Sequence, residues 1–382
     1  MIYQFRDAFL EELKSIKNSV YKIFLIFLLP IFTFIIIVNI FNEGVLKELP
    51  IAVVDNDKSQ LSRKLLNNLN NTKTLQIAYN LNSLKEVKQL FQNSKVYAIV
   101  VIPKRFSNNV LLQKQPKVYA FVNTQYILIG KMVISALSST VIQSSFEIDF
   151  IKNLVKDSTI TKALANTSAV NFTLTPYFNI TQNYFYFLVL ALIPAILQIF
   201  VTVTAIVVFG EIVKKNEHIK YFKDYPFIKI IAKVFPYTLF YTFIGIFFIL
   251  YMYGTLDWDF GGSYSIIFLA IFLTVLAYQS VGLLFLVSGF DYARALSLGA
   301  VYTAPAFAFL GVTFPSVGMN DLSLFIRDLL PISYFMEILI SQANYNLDIN
   351  YEISKLLKLL LFSSFFIVVW LRFKNRAKNE LS

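Results

Sequence analysis

Few side chains in this sequence have the type and spacing to do chemistry. Asp55, Asp57 and Ser59, within Val54-Asp-Asn-Asp-Lys-Ser-Gln-Leu-Ser62, space their oxygens as a calcium loop begins. Such a loop also needs Gly at its sixth position and Glu at its twelfth; counting from Asp55, Gln60 and Leu66 stand there. Short polar residues ahead of a leucine-rich stretch suit a turn and a helix cap instead, with Ser59 and Ser62 as capping residues. The adjacent carboxylates Glu11/Glu12 and Asp257/Asp259 read as solvated faces rather than acid–base pairs. The chain has no Cys and one His, His218. That excludes disulfides, thiol catalysis and Cys/His zinc sites, and no metal site is predicted. His218 lies in a basic stretch and reads as a solvated side chain, with a partner contact as the alternative. No G-x-x-x-x-G-K-[S/T] occurs; Gly130-Lys131 follows no glycine loop, so no nucleotide-cradling P-loop is expected and no cofactor is implied.

The elements that carry these residues are set by composition. Of 382 residues, 57% are hydrophobic and 15% charged, against roughly 45–50% and about 25% in soluble domains. The excess falls in runs long enough to cross a bilayer: Ile23–Ile40, Tyr184–Phe209, Ile230–Tyr253, Tyr264–Phe290, Ala293–Phe314 and Leu356–Phe373. About 20 apolar residues span some 30 Å of hydrocarbon as a helix. The fold class expected is a polytopic α-helical membrane protein of six spans with an inserted extracytoplasmic α/β domain. Lys358 interrupts the last run and must snorkel toward an interface. The first run is no cleaved signal peptide, because charged residues precede it and Asn42-Glu43-Gly44 follows.

The formal charge of +11 is placed as membrane topology requires, not as a nucleic-acid surface. Lys14, Lys17 and Lys22 precede the first span, five Lys lie in the loop 210–229, and Arg372, Lys374, Arg376 and Lys378 end the chain. With alternating spans these all fall on one side, which the positive-inside bias makes cytoplasmic, both termini included. The segments expected are a cytoplasmic helix (1–22), the first span (23–40), an extracytoplasmic domain (41–183), spans two to six (184–373) and a basic tail (374–382). Within 1–22, Phe5, Phe9, Leu13, Ile16 and Val20 share one helical face, as in a helix lying at the membrane interface. Between the last two spans, 315–346 is too polar to cross and reads as an outer, interfacial or re-entrant hairpin.

The stretch 41–183 alternates strands and helices. Pro50–Val54, Thr74–Tyr79, Tyr97–Ile102 and Lys117–Val122 read as strands. Helices are expected after Ser59, from Ser83 to Phe91, and from Tyr126 to about Val155, with a polar boundary over Asn153–Pro176. This pattern predicts an open, mixed or parallel sheet.

Several segments carry a resemblance. The strand and Asp-x-Asp-x-Ser-x-x-Ser turn at Asp55, Asp57, Ser59 and Ser62 resembles the segment after the first span of type-2 ABC transporter permeases. Ala98-Ile-Val-Val-Ile-Pro103-Lys-Arg-Phe106-Ser107 is similar to a later strand, Pro and cap of that family. Ala304–Pro315, with Thr313, Phe314 and Pro315, then Met319, and Leu330-Pro331-Ile-Ser-Tyr334-Phe-Met-Glu337, resembles its outer hairpin and exit gate. The loop departs from the pattern: Glu211 and Lys233-x-x-Pro236 align, but Gly210-Glu-Ile-Val-Lys-Lys-Asn-Glu-His218 lacks the family's Gly-Thr.

The resemblance implies a permease subunit that is not itself an enzyme. Its partners would be a separate ABC ATPase, a second permease half (identical or not), the lipid bilayer and, with so large an outer domain, a periplasmic adaptor. It would sit in the bacterial inner membrane as an exporter of a lipophilic or amphiphilic substrate, and the 39 Phe and 22 Tyr suit such a cargo. Coupling would run through the interfacial helix and the loop residues Glu211, Lys214, Lys215, Glu217, Ile219, Tyr221 and Phe222, with Ile219, Tyr221 and Phe222 inserting into the ATPase; the alternative is a solvated loop whose Lys residues fix topology and contact anionic lipid. Two readings of other classes compete. An ion-coupled transporter calls for ionisable groups inside the spans, and the apolar runs contain no Asp, Glu or His. A membrane-anchored binding or assembly protein needs only one span.

Overall fold

The computed structural model describes residues 2–41, 46–81, 86, 89–91, 93, 95–112, 114, 117–125, 127–157, 183–256, 258 and 260–379. Asp257, Asp259, Ser83, Asn42–Gly44 and most of the expected boundary over Asn153–Pro176 lie outside them. The chain divides into two compact units, Glu43–Asn183, and Met1–Asn42 together with Tyr184–Ser382.

The unit Glu43–Asn183 holds a four-stranded mixed sheet in the order β2-β1-β3-β4, with β1 Leu49–Asp55, β2 Leu75–Leu81, β3 Ala98–Ile102 and β4 Tyr119–Val122. β1 runs parallel to β2 and β3, and β4 closes antiparallel on β3. The two central strands are apolar without alternation, as strands covered on both faces must be, and β3 is buried throughout. Edge strand β2 alternates instead. Helix α3 (Gln60–Asn70) turns Leu65, Leu66 and Leu69 into the core beneath the sheet. α4 (Phe106–Leu111) adds Phe106, and α5 (Ile127–Asp157) adds Val133 and Leu137.

In the other unit, α1 is Ile2–Lys17 and α2 is the helical stretch Val20–Phe41. There follow α6 (Tyr184–Lys214), the short α7 (His218–Tyr221), α8 (Pro226–Leu250), α9 (Tyr264–Gly289), α10 (Tyr292–Thr303) and α11 (Ala306–Phe309). α12 (Asp321–Asp328), α13 (Pro331–Ile340), α14 (Ile349–Ser363) and α15 (Phe365–Asn379) complete it. α9 is apolar on every side, which suits a helix surrounded by others, and it packs against α6, α8, α10, α13, α14 and α15. Gly282 permits the α6 crossing, since a Cβ there would come within 2.8 Å of the Thr202 carbonyl oxygen.

Among the described residues, five helical stretches are long and apolar enough to cross a membrane: Val20–Phe41, Phe185–Lys214, Pro226–Thr255, Tyr264–Gly289 and Ile349–Lys378. This makes the chain a multi-pass membrane protein; of the six expected spans, the run Ala293–Phe314 is not among these five. The run Ala293–Phe314 breaks at Ala304-Pro305 into α10 and α11. Proline has no N–H and clashes with the preceding turn. The 12 residues of α10 then reach only about 18 Å. The last span also starts earlier than its apolar run and takes in Glu352, fully buried and bonded to Ser341 and to Lys355, 2.7 Å away. The expectation of acid-free spans is corrected there. Lys358 lies 4.6 Å over the Tyr334 ring.

Candidate functional site

Where α1 meets α2, α6 and α8, four charged side chains converge. Glu12 sits on the α1 face that packs against α8, a face formed by Phe5, Ala8, Phe9, Glu12 and Ile16. Phe5 and Phe9 meet Phe235 edge-on at ring distances of 5.9 and 6.0 Å. Leu13 and Val20, expected on the same face, are exposed. α1 carries no acidic residue in its first turn and places Lys14 and Lys17 in its last, the arrangement the helix dipole favours at that end.

Glu12 is 2% exposed, so the expectation of a solvated Glu11/Glu12 face is corrected for Glu12. Its carboxylate pairs with Lys233 and accepts a 2.5 Å hydrogen bond from the Tyr237 hydroxyl. Lys22 lies 3.7 Å from the same carboxylate, donates to Ser15 Oγ at 2.9 Å, and pairs with Glu211 at 2.8 Å. Two cations and two carboxylates therefore balance, contributed by α1, the start of α2, the end of α6 and the start of α8. A buried charge costs several kcal/mol of desolvation unless it is paired and hydrogen-bonded, and deleting one partner of such a pair costs about 3–5 kcal/mol. The cluster ties α1 to three spans through charges that are left uncompensated when one partner is removed.

The loop 210–229 lies next to this cluster and is less solvated than its composition suggests. Phe222 is 1% exposed; it stacks on Phe209 at 6.0 Å and packs on Phe373 at 4.2 Å. The expectation that Phe222 inserts into a partner is corrected, because its ring fills the chain's own core. His218 is buried too and stacks on Phe290 at 5.4 Å, against the expected solvated position. Tyr221 is half-buried, and its carbonyl accepts a 2.6 Å bond from Lys229. Burial first, then Glu11 and Glu12, push the Tyr221 hydroxyl well above the usual tyrosine range. Ile219 and Glu211 are half-buried, while Lys214, Lys215 and Glu217 are exposed. Tyr225 and Phe227, not singled out from the sequence, are 52% and 45% exposed. Tyr225 stands at φ 51° immediately before Pro226 opens α8; a proline at the first helical position is the sequence signal for that helix start.

The hairpin residues divide in the same way. Thr313, Phe314 and Pro315 are exposed and Met319 half-buried. Pro331 and Tyr334 lie in α13, whose residues Pro331 to Met336 are all buried. Glu337 is half-buried and pairs with the buried Arg327.

In the sheet unit, the acidic turn closes on itself. Asp55 accepts from the amides of Asp57 and Lys58 at 3.0 and 2.9 Å and from the Ser62 hydroxyl at 2.7 Å. Ser59 caps α3 by accepting from the Ser62 amide at 3.1 Å. Asp57 accepts from the Ser107 amide at 3.0 Å, tying the turn to the first turn of α4, whose Phe106 is buried; Pro103 follows β3 half-buried. Burial works to raise the Asp57 carboxyl, but hydrogen bonds from Ser59, Ser107 and the Phe106 backbone prevail and hold it below the usual range. These oxygens are occupied by turn and cap donors.

Compared with known families, residues 22–372 match the family described as ABC-2 family transporter protein. No curated protein and no solved structure matches the chain.

Proposed function

The chain belongs to the ABC-2 family of transporter proteins, and on that premise we propose that it is the permease subunit of an ATP-driven exporter. The family is a membrane component of transport rather than a catalyst, and it implies partnership with an ABC ATPase. In this reading the ATPase is a separate polypeptide, two permease halves pair, and a lipophilic or amphiphilic substrate leaves between them past the hairpin 315–346. Both termini lie in the cytoplasm, and the sheet unit lies outside the inner membrane. Exposed Tyr119 and Phe121 on edge strand β4 offer a periplasmic adaptor a surface; the same residues would serve the alternative of an anchored binding protein.

The observation that supports coupling is the buried ionic cluster around Glu12. An ATPase pressing on α1 and on the exposed Tyr225 and Phe227 would move α2, α6 and α8 with it. Sliding α1 alone would strand Lys22 and Lys233 without their carboxylate. The six-span count fits this reading if α10 and α11 together enter the bilayer as a broken fifth element.

The test is ATP-driven movement of a lipophilic fluorescent dye in proteoliposomes that hold the chain and its ATPase subunit. Glu12→Gln keeps the side-chain shape and removes the charge that both lysines face. Hydrolysis should persist while dye movement per ATP falls at least about tenfold, the equivalent of about 1.4 kcal/mol of lost coupling. Unchanged movement per ATP would refute the coupling role. Hydrolysis by the chain alone would refute the permease assignment.

A further inference from the structure

The last helix, α15, is divided lengthwise into two faces. Phe366, Val369, Phe373 and Ala377 are buried, at the spacing of three and four residues that keeps side chains on one side of a helix. Phe373 packs on Phe222 and Phe290 at ring distances of 4.2 and 5.5 Å. The opposite face is exposed and changes character along its length. Ile367, Val368 and Leu371 come first, then Lys374, Asn375 and Lys378.

A lipid-facing stripe that turns from hydrocarbon to cation marks the level where acyl chains give way to headgroups. The change is abrupt, since the helix rises only about 4.5 Å from Leu371 to Lys374. Trp370 stands at this level, half-buried, with the Phe227 ring edge-on to it at 6.0 Å. Indole rings favour that interface. The Lys374 ammonium lies 5.4 Å over the same ring, near enough for a cation–π attraction that holds it beside the helix.

The two lysines differ from the buried ones in lacking an anion. Lys22 and Lys233 are matched by Glu12 and Glu211. α15 contains no carboxylate, and among the described residues neither Lys374 nor Lys378 forms an ion pair. The positive-inside bias asks only that Lys and Arg lie on the cytoplasmic side and is indifferent to which helix face bears them. Here two stand four residues apart, about 6 Å along the axis, with the Asn375 amide between them and hydrocarbon side chains directly in line. Three donors without an acceptor suit a phosphate. Ile367 and Leu371 suit an acyl chain attached to it.

We propose that this stripe is a binding site for an anionic phospholipid, its phosphate held between Lys374 and Lys378 and an acyl chain lying along Leu371 and Ile367. The site lies on one helix of one subunit and needs neither ATP nor the ATPase, so its failure and the failure of the transport reading are separate results.

The chain has two Trp, so Trp258→Phe leaves Trp370 as the sole reporter. The purified full chain in phosphatidylcholine nanodiscs receives a minor fraction of phosphatidylglycerol brominated near the carbonyl end of its acyl chain, or the same fraction of equally brominated phosphatidylcholine. Trp370 emission should be quenched as though the anionic lipid were enriched about fivefold or more, the size expected of one Lys at an anionic surface. Lys374→Gln with Lys378→Gln should make the two lipids quench alike. Lys104→Gln with Arg105→Gln, the same loss of charge in the sheet unit, should keep the preference. Glycerol phosphate in solution should leave the quenching unchanged, and displacement by it would overturn the lipid assignment in favour of a soluble anion. Gel filtration checks folding; where Trp258→Phe fails it, the difference between the unmodified chain and Trp370→Phe gives the same reading. Equal quenching by the two lipids, or a preference that persists without both lysines, overturns the proposal.

Discussion

Two polar constellations among the described residues, the turn at Asp55 and the cluster at Glu12, are built on opposite plans. The turn at Asp55 is local: Asp55 and Ser62 are 7 residues apart, and its farthest bond, Asp57 to the Ser107 amide, spans 50. Its donors are mostly backbone amides and hydroxyls, and removing one leaves others in place. The cluster at Glu12 is assembled across the chain, with Lys233 lying 221 residues away. Its members are full charges, and Glu12, Lys22 and Lys233 are almost wholly buried. The physical lesson is one of graded dependence. A local turn survives the loss of one bond, whereas a neutral cluster of buried charges fails when a single charge is deleted.

That contrast can be broken first at its strongest point. Lys233→Ala should cost about 3–5 kcal/mol, seen as a lowered midpoint of thermal aggregation in detergent. The pair Glu12→Gln with Lys233→Met should recover part of the loss, because the uncompensated charge is gone. A double variant no more stable than Lys233→Ala would show that packing rather than charge holds α1 in place.

Next in size is the ring at the loop. Phe222→Ala should cost about 3–5 kcal/mol less a contribution from local collapse, as buried Phe truncations do. Tyr225→Ala should leave the aggregation midpoint unchanged and reduce co-purification of the ATPase subunit. The reverse pattern would return Phe222 to the partner-facing side.

Smaller effects are expected in the sheet unit. Ser62→Ala leaves a buried Asp55 oxygen without its hydroxyl donor and should cost about 1–3 kcal/mol. Ser59→Ala removes a helix cap and should cost about 1 kcal/mol. Hydrogen exchange of α3 in the full chain separates the two, and protection should fall more in Ser62→Ala.

The smallest effect is a pH dependence at Asp57. Its folded-state carboxyl is held below the ordinary range, so its stabilising contribution is complete above the unfolded value of about 3.9. That contribution is lost as pH falls through the folded value. Exchange around Ser107 should therefore rise as pH falls below about 4, and Asp57→Asn should remove that step.

Much of the fold was legible because its determinants are short-range. Apolar runs of fixed length and their flanking Lys and Arg mark spans, and Ser59 ahead of leucines marks a capped helix. Pro305 was visible too, but inside an apolar stretch its power to split the run was outweighed by hydropathy. Glu12 was misread because beside Glu11 on an amphipathic helix a carboxylate looks like part of the wet face. No spacing rule links it to Lys22, Glu211 and Lys233. Phe222 and His218 were misread for a related reason, since a loop rich in Lys gives no sign that two residues one helical turn apart turn inward.

By itself, the sequence determined that this chain crosses a membrane several times and carries an α/β segment between its first two spans, and its quoted motifs already resembled the type-2 ABC permeases to which it belongs. Those conclusions rest on hydrophobicity, charge placement and local turn chemistry, which act over a few residues at a time. Tertiary structure alone decided which of its charges are buried and paired, and that the fifth run is broken. Burial and long-range pairing are properties of helices brought together from distant parts of the chain. A residue's own neighbours in sequence carry no record of what will cover it.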